Sequence, residues 1–211
     1  MKFSRRISQL KPYPFVEISR IIAQKKSEGV EVVTFGIGDP DIPTPKPIVD
    51  KLIKASNNSS NHRYPETDGL PAVRKAIAQW YKNRFGIDHL DPDGEVLPLI
   101  GAKEGIGHVA FCFIDPGDIA LVPNPAYPVY EVGTMFAGGE SYAIPLLEEN
   151  QWLADIGQIP SDIARKAKVM WVNYPNNPTS AVADKEHYME LIAFAKEYDI
   201  AILHDAAYSE V

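Results

Sequence analysis

Apolar residues in the N-terminal part of the chain recur at the spacing of amphipathic helices. Ile18, Ile21 and Ile22 fall on one helical face, which predicts a short helix that ends near residue 27. Pro12 and Pro14 interrupt the chain before it, so the first residues are expected to form an arm.

Two further helices are predicted between residues 44 and 86. Thr44 is a candidate N-cap, and Pro45 suits the first helical position. Three apolar side chains of this helix are expected to face inward: Ile48, Leu52 and Ile53. The next helix has apolar residues at helical spacing, namely Leu70, Val73, Ile77, Trp80 and Tyr81. Gly86 is its expected stop.

From residue 95 onward, short apolar runs alternate with helical segments. Strands are predicted at residues 96–100, 119–122, 141–144, 169–172 and 200–203, after an earlier strand at 30–35. Helices are predicted at residues 103–113, 129–136 and 185–198. This alternation indicates an α/β fold with a mostly parallel sheet flanked by helices. Pro98 cannot donate a ladder hydrogen bond, so its strand is expected near an edge.

Composition narrows the possible functions. The net charge is −7 and the basic residues are scattered, which argues against nucleic acid as a partner. No apolar run is long enough for a membrane helix, and the basic N-terminus lacks the apolar core of a signal peptide. Cys112 is the single cysteine, so we expect no intrachain disulfide and a cytoplasmic location. No metal site is predicted.

Polar clusters follow four of the predicted strands. They occupy residues 101–105, 123–128, 173–179 and 204–208. Ligands of open α/β sheets bind beyond the carboxyl ends of the strands. The clusters are therefore expected to converge on one site.

Residues 101–105, GAKEG, join a strand to the start of a helix, where backbone N–H groups and the helix dipole favour an anion such as phosphate. A plain strand-to-helix turn is an equally good interpretation. The segment contains neither the phosphate-loop pattern G-x-x-x-x-G-K-[ST] nor the dinucleotide pattern G-x-G-x-x-G.

Four side chains in the other clusters have chemistry that suits a flat, charged ligand. Tyr127 lies between two prolines and could stack on a ring or pack in the core. Asn177 could donate to a ligand oxygen or to its own turn. Asp205 follows an apolar strand, where a buried carboxylate is costly unless it has a partner. That partner could be a cationic ligand group such as a protonated pyridine, or the carboxylate could form a structural salt bridge or a helix cap. Tyr208 could donate a hydrogen bond to the same ligand, or it could be a packing residue.

The order of these segments resembles that of class I/II aminotransferases of pyridoxal-phosphate (PLP) fold type I, and within them bacterial LL-diaminopimelate aminotransferases. The segments that carry the resemblance are residues 36–41 (GIGDPD), 64–69 (YPETDG), 101–105 (GAKEG), 173–179 (NYPNNPT) and 204–210 (HDAAYSE). The resemblance extends over the whole chain. It implies an N-terminal arm and part of a small domain at residues 1–44, and an incomplete PLP-binding large domain at 45–211.

The resemblance also implies roles for individual residues. The backbone of Ala102 and Lys103 would hold the phosphate of pyridoxal 5'-phosphate, and Asp205 would pair with its ring nitrogen. The cofactor's remaining contacts would come from Tyr127, Asn177, Tyr208 and, in the neighbouring subunit of a homodimer, Tyr64. The substrate would meet Tyr13, Gly38, Lys103, Tyr127 and Asn177.

Two departures from the family pattern stand out. Ser180 occupies the position where the family usually has glycine, so it must adopt the glycine conformation or the turn must differ. No lysine in the chain matches the Schiff-base lysine of the family, which is expected beyond Val211 together with the C-terminal small domain. We therefore assign no catalytic residue and expect the 211 residues alone to transfer no amino group.

The implied reaction moves an amino group between an amino acid, with LL-2,6-diaminopimelate as the leading candidate, and 2-oxoglutarate in lysine biosynthesis. Aminotransferases of aspartate or of aromatic amino acids, and PLP lyases, are alternatives within the enzyme class. A non-catalytic PLP-fold binding module is the alternative outside it. The expected partners are small amino-acid and 2-oxo-acid substrates and a second copy of the subunit.

Overall fold

The structure is a computed structural model that describes residues 2–10, 13–35, 38 and 42–210. Pro12 and most of the motif at 36–41 lie outside the described residues, as does Val211. The chain divides into two compact units. We call Met1–Ser8 with Leu99–Val211 the sheet unit, and Gln9–Pro98 the helical unit.

The helical unit contains three helices of more than two turns: α2 (Pro14–Ser27), α3 (Lys46–Ser56) and α4 (Pro71–Phe85). A proline lies in the first turn of each, where its missing N–H costs no helical hydrogen bond. Gly86 ends α4 in the left-handed conformation with φ 72°, which confirms the predicted stop. The start of α3 was predicted too early, because Pro45 rather than Thr44 is its N-cap.

The sheet unit begins with the short helix α1 (Arg5–Gln9), whose last residue lies just past the unit's boundary at Ser8. From Leu99 onward, its described residues form four strands and four α-helices. In chain order these are α5 (Ala102–Phe113), β1 (Ile119–Asn124), α6 (Val129–Ala137), β2 (Glu140–Pro145), α7 (Ser161–Ala164), β3 (Ala167–Asn173), α8 (Lys185–Tyr198) and β4 (Ala201–Asp205). The strand order is β2-β1-β3-β4, and every neighbouring pair is parallel. This confirms the predicted parallel α/β sheet.

The two central strands supply the core on both faces of the sheet. Leu121 of β1 and Met170 of β3 pack with Leu191 of α8 on one face. Val122 and Trp171 lie in a second cluster on the other face, which also includes side chains of α5 and α6. The alternation follows from strand geometry, since successive side chains point to opposite faces.

Two predicted strands are absent. Residues 30–35 and 96–100 form no strand, and Phe35 and Ile100 are almost fully exposed. A strand needs a neighbour to satisfy its backbone hydrogen bonds, and neither segment is paired to one in the described part of the chain. Pro98 therefore marks no strand edge. Across the described residues, no helix is both long and apolar enough to cross a membrane.

Candidate functional site

A cavity of about 220 Å³ lies in the sheet unit, beyond the carboxyl ends of β1, β3 and β4. Each of the four polar clusters contributes to it, so the predicted convergence is confirmed. The residues that line it are Ala102, Lys103, Ile106, Tyr127, Asn173, Asn177, Asp205, Ala207 and Tyr208.

Helix α5 presents its N-terminus to this cavity. Gly101 caps the helix with φ 82°, a backbone conformation that L side chains rarely adopt. The side chain of Glu104 turns back and accepts the N–H of Ile100 at 2.6 Å. Ala102 and Lys103 are the first two residues of the helix, where the direction of the backbone N–H groups and the helix dipole favour an anion.

Asp205 ends β4 at the cavity wall, and both of its carboxylate oxygens accept hydrogen bonds. Oδ2 accepts the phenol of Tyr130 at 2.7 Å, and Oδ1 accepts the backbone N–H of Ala207 at 3.2 Å. The amide of Asn173 donates to the backbone carbonyl of Asp205 at 2.8 Å. Among the described residues, no lysine, arginine or histidine forms an ion pair with this carboxylate. The two groups that donate to its oxygens, the Tyr130 phenol and the Ala207 N–H, are both neutral.

The loop after β3 is held by its own asparagines. Asn173 Oδ1 accepts the N–H of Asn177 at 2.8 Å, and Asn176 Oδ1 accepts the hydroxyl of Thr179 at 2.9 Å. The side-chain amide of Asn177 lies 3.5 Å from the hydroxyl of Tyr208. These two neutral polar groups therefore meet at one point of the cavity wall.

Ser180 completes this loop. Its φ is 62°, so it adopts the left-handed conformation that the family's glycine would take without strain. Its N–H bonds the carbonyl of Asn176 at 2.8 Å. Of the two outcomes expected for this position, Ser180 therefore shows the first, the glycine-like backbone conformation.

The two tyrosines at the start of α6 lie in different environments. Tyr127 is half-buried and lines the cavity, with its ring edge-on to that of Tyr130 at a centroid distance of 5.8 Å. Tyr130 is 1% exposed and stacks on Trp171 with ring centroids 4.4 Å apart. Burial, reinforced by the hydrogen bond to Asp205, raises the pKa of Tyr130 well above its ordinary value, so its phenol remains a donor.

Three of the predicted contact residues belong to the helical unit. Tyr64 is fully exposed, and Tyr13 and Gly38 are exposed as well. They do not line the cavity described above. The other predicted site residues, six in number, all line it: Ala102, Lys103, Tyr127, Asn177, Asp205 and Tyr208.

Sequence reasoning did not single out Tyr130 or Asn173. Tyr130 is the second residue of α6, whereas Tyr127 lies in the loop before that helix, so helical spacing gave no signal that links the two side chains. Asn173 is the last residue of a buried strand, where a polar side chain needs a partner. Neither position indicates the partner, which is Asp205 in both cases.

Comparison with known proteins places this fold and cavity in a family. Residues 30–211 match the family described as Aminotransferase class I and II. LL-diaminopimelate aminotransferase from Dehalococcoides mccartyi is 56% identical over 211 residues, which is 100% of this chain and 54% of that protein. The chain therefore spans about half the length of the curated relatives it matches.

Solved structures show the same relationship. The structure of apo-BacF from Bacillus subtilis is 40% identical, with a TM-score of 0.90 over 97% of this chain and 52% of that one. Alanine aminotransferase from Pyrococcus furiosus is 31% identical, with a TM-score of 0.90 over 99% of this chain and 53% of that one. Enzymes of this family depend on pyridoxal 5'-phosphate. The chain belongs to the class I and II aminotransferases.

Proposed function

We propose that these residues form the cofactor-binding part of a PLP-dependent aminotransferase that moves an amino group between LL-2,6-diaminopimelate and 2-oxoglutarate. The observation that carries the proposal is the 220 Å³ cavity, at which a helix N-terminus, an aromatic ring, two neutral donors and a carboxylate meet. In this proposal residues 45–211 belong to the large domain, and residues 1–44 to the N-terminal arm and the small domain.

The chemistry of the lining residues fits the cofactor. The N–H groups of Ala102 and Lys103 suit a phosphate dianion. Asp205, held by neutral donors, suits a cationic ring nitrogen, since a partly buried carboxylate gains most from a positive partner. Asn177 and Tyr208 together suit a ring oxygen that carries negative charge.

Each side chain then has a task in the reaction. When bound, the cofactor supplies an electron-withdrawing pyridine ring, for which the protein has no substitute. Asp205 would hold the proton on the ring nitrogen, which keeps the ring strongly electron-withdrawing. Tyr127 would pack against the ring and exclude water from it. Asn177 and Tyr208 would orient the ring.

Substrate and partner contacts are also part of the proposal. Lys103, Tyr127 and Asn177 lie at the cavity and are candidates for contact with the amino acid, as are Tyr13 and Gly38. Full exposure of the Tyr64 side chain is compatible with contact to a second subunit, in which it would reach the phosphate. This supports a homodimer with shared sites.

The choice of substrate is supported by the relatives. The curated proteins from Dehalococcoides mccartyi and Moorella thermoacetica, 56% and 54% identical, are LL-diaminopimelate aminotransferases. Such an enzyme would act in lysine and diaminopimelate biosynthesis, and the single cysteine supports a reducing, cytoplasmic location.

An amino-donor panel tests this proposal. The complete reading frame that encodes these residues is expressed, loaded with pyridoxal 5'-phosphate and supplied with 2-oxoglutarate, and the glutamate formed is measured. We expect a kcat/KM for LL-diaminopimelate at least about a hundredfold above that for aspartate or tyrosine, because a site that hydrogen-bonds one substrate discriminates against ligands that leave its polar groups unpaired. Higher activity with another donor would contradict the substrate assignment. The absence of transfer with any donor would contradict the assignment as an aminotransferase.

A further inference from the structure

We propose that Tyr130 is a positioning residue, which fixes the Asp205 carboxylate and the Tyr127 ring relative to each other so that both can engage one pyridine ring. This inference rests on the proposed function, because it concerns the same cavity. It adds a residue that does not line the cavity and that acts through two residues that do.

The first argument is the geometry of the carboxylate. A carboxylate held at one oxygen can rotate about its Cβ–Cγ bond, whereas one held at both oxygens cannot. Ala207 N–H holds Oδ1 at 3.2 Å, and the Tyr130 phenol holds Oδ2 at the shorter distance of 2.7 Å. Charged hydrogen bonds of this length are the strong ones. Tyr130 therefore contributes most of the orientation.

The second argument is that Tyr130 is itself immobile. Its side chain is 1% exposed, and its ring is nearly parallel to that of Trp171, with an angle of 15° between the planes. Trp171 belongs to the central strand β3, which is buried along most of its length. The phenol is thus packed against a buried strand of the sheet, and it links Asp205 to that strand.

The third argument is the contact with Tyr127. The two rings meet edge-on, with centroids 5.8 Å apart and planes at 80°. Aromatic pairs favour this arrangement. One buried ring thus touches both the proposed ring-stacking residue and, through its hydroxyl, the proposed partner of the ring nitrogen.

Tyr130 also controls the charge that Asp205 presents. Within the described residues, the carboxylate is bonded by neutral groups and by no cation, so its negative charge remains available to a ligand. Since burial raises the pKa of Tyr130, the phenol shares its proton without releasing it. A ring nitrogen beyond the carboxylate would therefore meet a hydrogen-bond acceptor whose position is fixed.

The test measures binding of pyridoxamine 5'-phosphate, which needs no covalent link to lysine. The proteins are the complete reading frame, its Tyr130→Phe variant and a matched control, Tyr174→Phe. Tyr174 is likewise a buried tyrosine with one hydrogen bond, to the N–H of Ala154 at 3.1 Å, and burial likewise raises its pKa. We expect Tyr130→Phe to weaken binding about tenfold, as for the loss of one hydrogen bond to a charged group, and Tyr174→Phe to leave it unchanged.

A second probe separates positioning from general structural damage. In the 1-deaza analogue of pyridoxamine 5'-phosphate, a C–H replaces the ring nitrogen, so Asp205 has no cationic partner. Tyr130→Phe should then weaken binding by less than about twofold, because the two changes remove the same interaction. An equal loss with both probes would show a merely structural role and overturn the proposal, as would an unchanged affinity for the natural compound.

The proposed function and this inference fail in different ways. If the unsubstituted protein binds no pyridoxamine 5'-phosphate, both are overturned. A second outcome is that the unsubstituted protein binds pyridoxamine 5'-phosphate more tightly than the deaza analogue, with Asp205→Ala abolishing that preference. If Tyr130→Phe then leaves the preference unreduced, only the role of Tyr130 is overturned.

A gentler substitution covers the case in which Tyr130→Phe does not fold. 3-Fluorotyrosine at position 130 keeps the volume and the hydrogen bond but makes the phenol more acidic. It should draw charge from Asp205 and lower the pKa of the bound ring nitrogen, which is measured by ¹⁵N NMR of labelled pyridoxamine 5'-phosphate. An unchanged ring-nitrogen pKa would overturn the proposal.

Discussion

The sheet unit and the helical unit treat their large apolar side chains in opposite ways. In the sheet unit, Leu121 and Met170 are 0% and 1% exposed. In the helical unit, Leu52 and Ile48 are 69% and 60% exposed, and the buried side chain among its described residues is a charged one, Arg74. The predicted inward orientation of Ile48, Leu52 and Ile53 was therefore wrong for this chain.

The difference shows what periodicity can and cannot predict. An apolar stripe on a helix indicates which face will be buried if a complementary surface is present. In the sheet unit that surface is the parallel sheet. Leu191 of α8 packs against one face of it, and Ile106 of α5 packs against the other. The described part of the chain gives the stripe of α3 no such cover, although its pattern in the sequence is as clear.

Substitution of matched leucines gives the largest expected contrast. In the 211-residue chain, Leu121→Ala should lower the free energy of unfolding by about 2–5 kcal/mol, since it opens a cavity between two packed layers. Leu52→Ala should change it by less than about 0.5 kcal/mol, because the side chain is already exposed. Urea denaturation followed by circular dichroism measures both. Similar losses would show that α3 is buried after all.

Arg74 tests whether the helical unit is held by polar contacts in place of an apolar core. Its guanidinium donates to the carbonyls of Pro92, Asp68 and Gly69 and to the carboxylate of Asp93. These bonds join the loop before α4 to the loop after it.

Replacement of Arg74 by alanine should leave those acceptors without their donor and release both loops. We expect proteolytic cleavage within the helical unit to become about tenfold faster, the scale of one lost hydrogen bond to a charged group. Lys46→Ala, which breaks an exposed pair with Asp50, is the control and should have little effect. Equal cleavage rates for the two variants would mean that Arg74 does not hold the loops.

The core of the sheet unit should also be sensitive to acid. Burial lowers the pKa of His187, opposed by the charges of Glu190 and Asp184, and its Nε2 makes no hydrogen bond in the described part of the chain. The unfolded chain therefore takes up this proton first as the pH falls through about 6.5. The stability contributed by neutral His187 is complete above that pH and is lost below it.

This acid sensitivity is checked by urea denaturation at about pH 7.5 and pH 5.5. The loss between the two should be smaller for His187→Gln than for the unsubstituted chain. The exposed His89 of the helical unit provides the control, and His89→Gln should leave the loss unchanged. A loss of the same size in all three proteins would exclude His187 as its source.

Ser180 gives the smallest expected effect. Ser180→Gly should stabilise the sheet unit by about 0.5 kcal/mol, since glycine adopts φ 62° without strain but loses more chain entropy on folding. Ser141→Gly, in the edge strand β2, should destabilise it instead. Thermal denaturation distinguishes the two signs. A destabilising Ser180→Gly would mean that the hydroxyl matters more than the backbone.

Local pattern was sufficient for much of the sheet unit. Helix α8 occupies the predicted residues 185–198, because Asp184 caps it through the N–H of His187 and Asp199 ends it in the left-handed conformation. The parallel topology was predictable as well, and with it the edge at which Tyr127, Asn177 and Asp205 meet. The absence of a strand at residues 96–100 was not predictable, because an apolar run does not indicate whether a neighbouring strand is present to pair with it.

The contact between Tyr130 and Asp205 could not be predicted. The two residues are 75 positions apart, and the contact depends on how α6 is rotated against the sheet. Small side chains set that rotation. A Cβ atom on Gly133 of α6 would lie 3.2 Å from the carbonyl oxygen of Gly107 in α5, so a larger residue there would push the two helices a few tenths of an ångström apart.

The strand order β2-β1-β3-β4 has a consequence for synthesis on the ribosome. Domains generally fold as the chain emerges, starting from the N-terminal side. β1 and β2 lie close together in the sequence and can pair early, whereas β4 can join only after β3 has emerged beside β1. Asp205 is the final residue of β4, so the carboxylate reaches the cavity after Tyr130 and Trp171 have been made. A nascent chain paused before residue 205 would already contain the stacked Tyr130 and Trp171 but not the carboxylate that the Tyr130 phenol bonds in the folded chain.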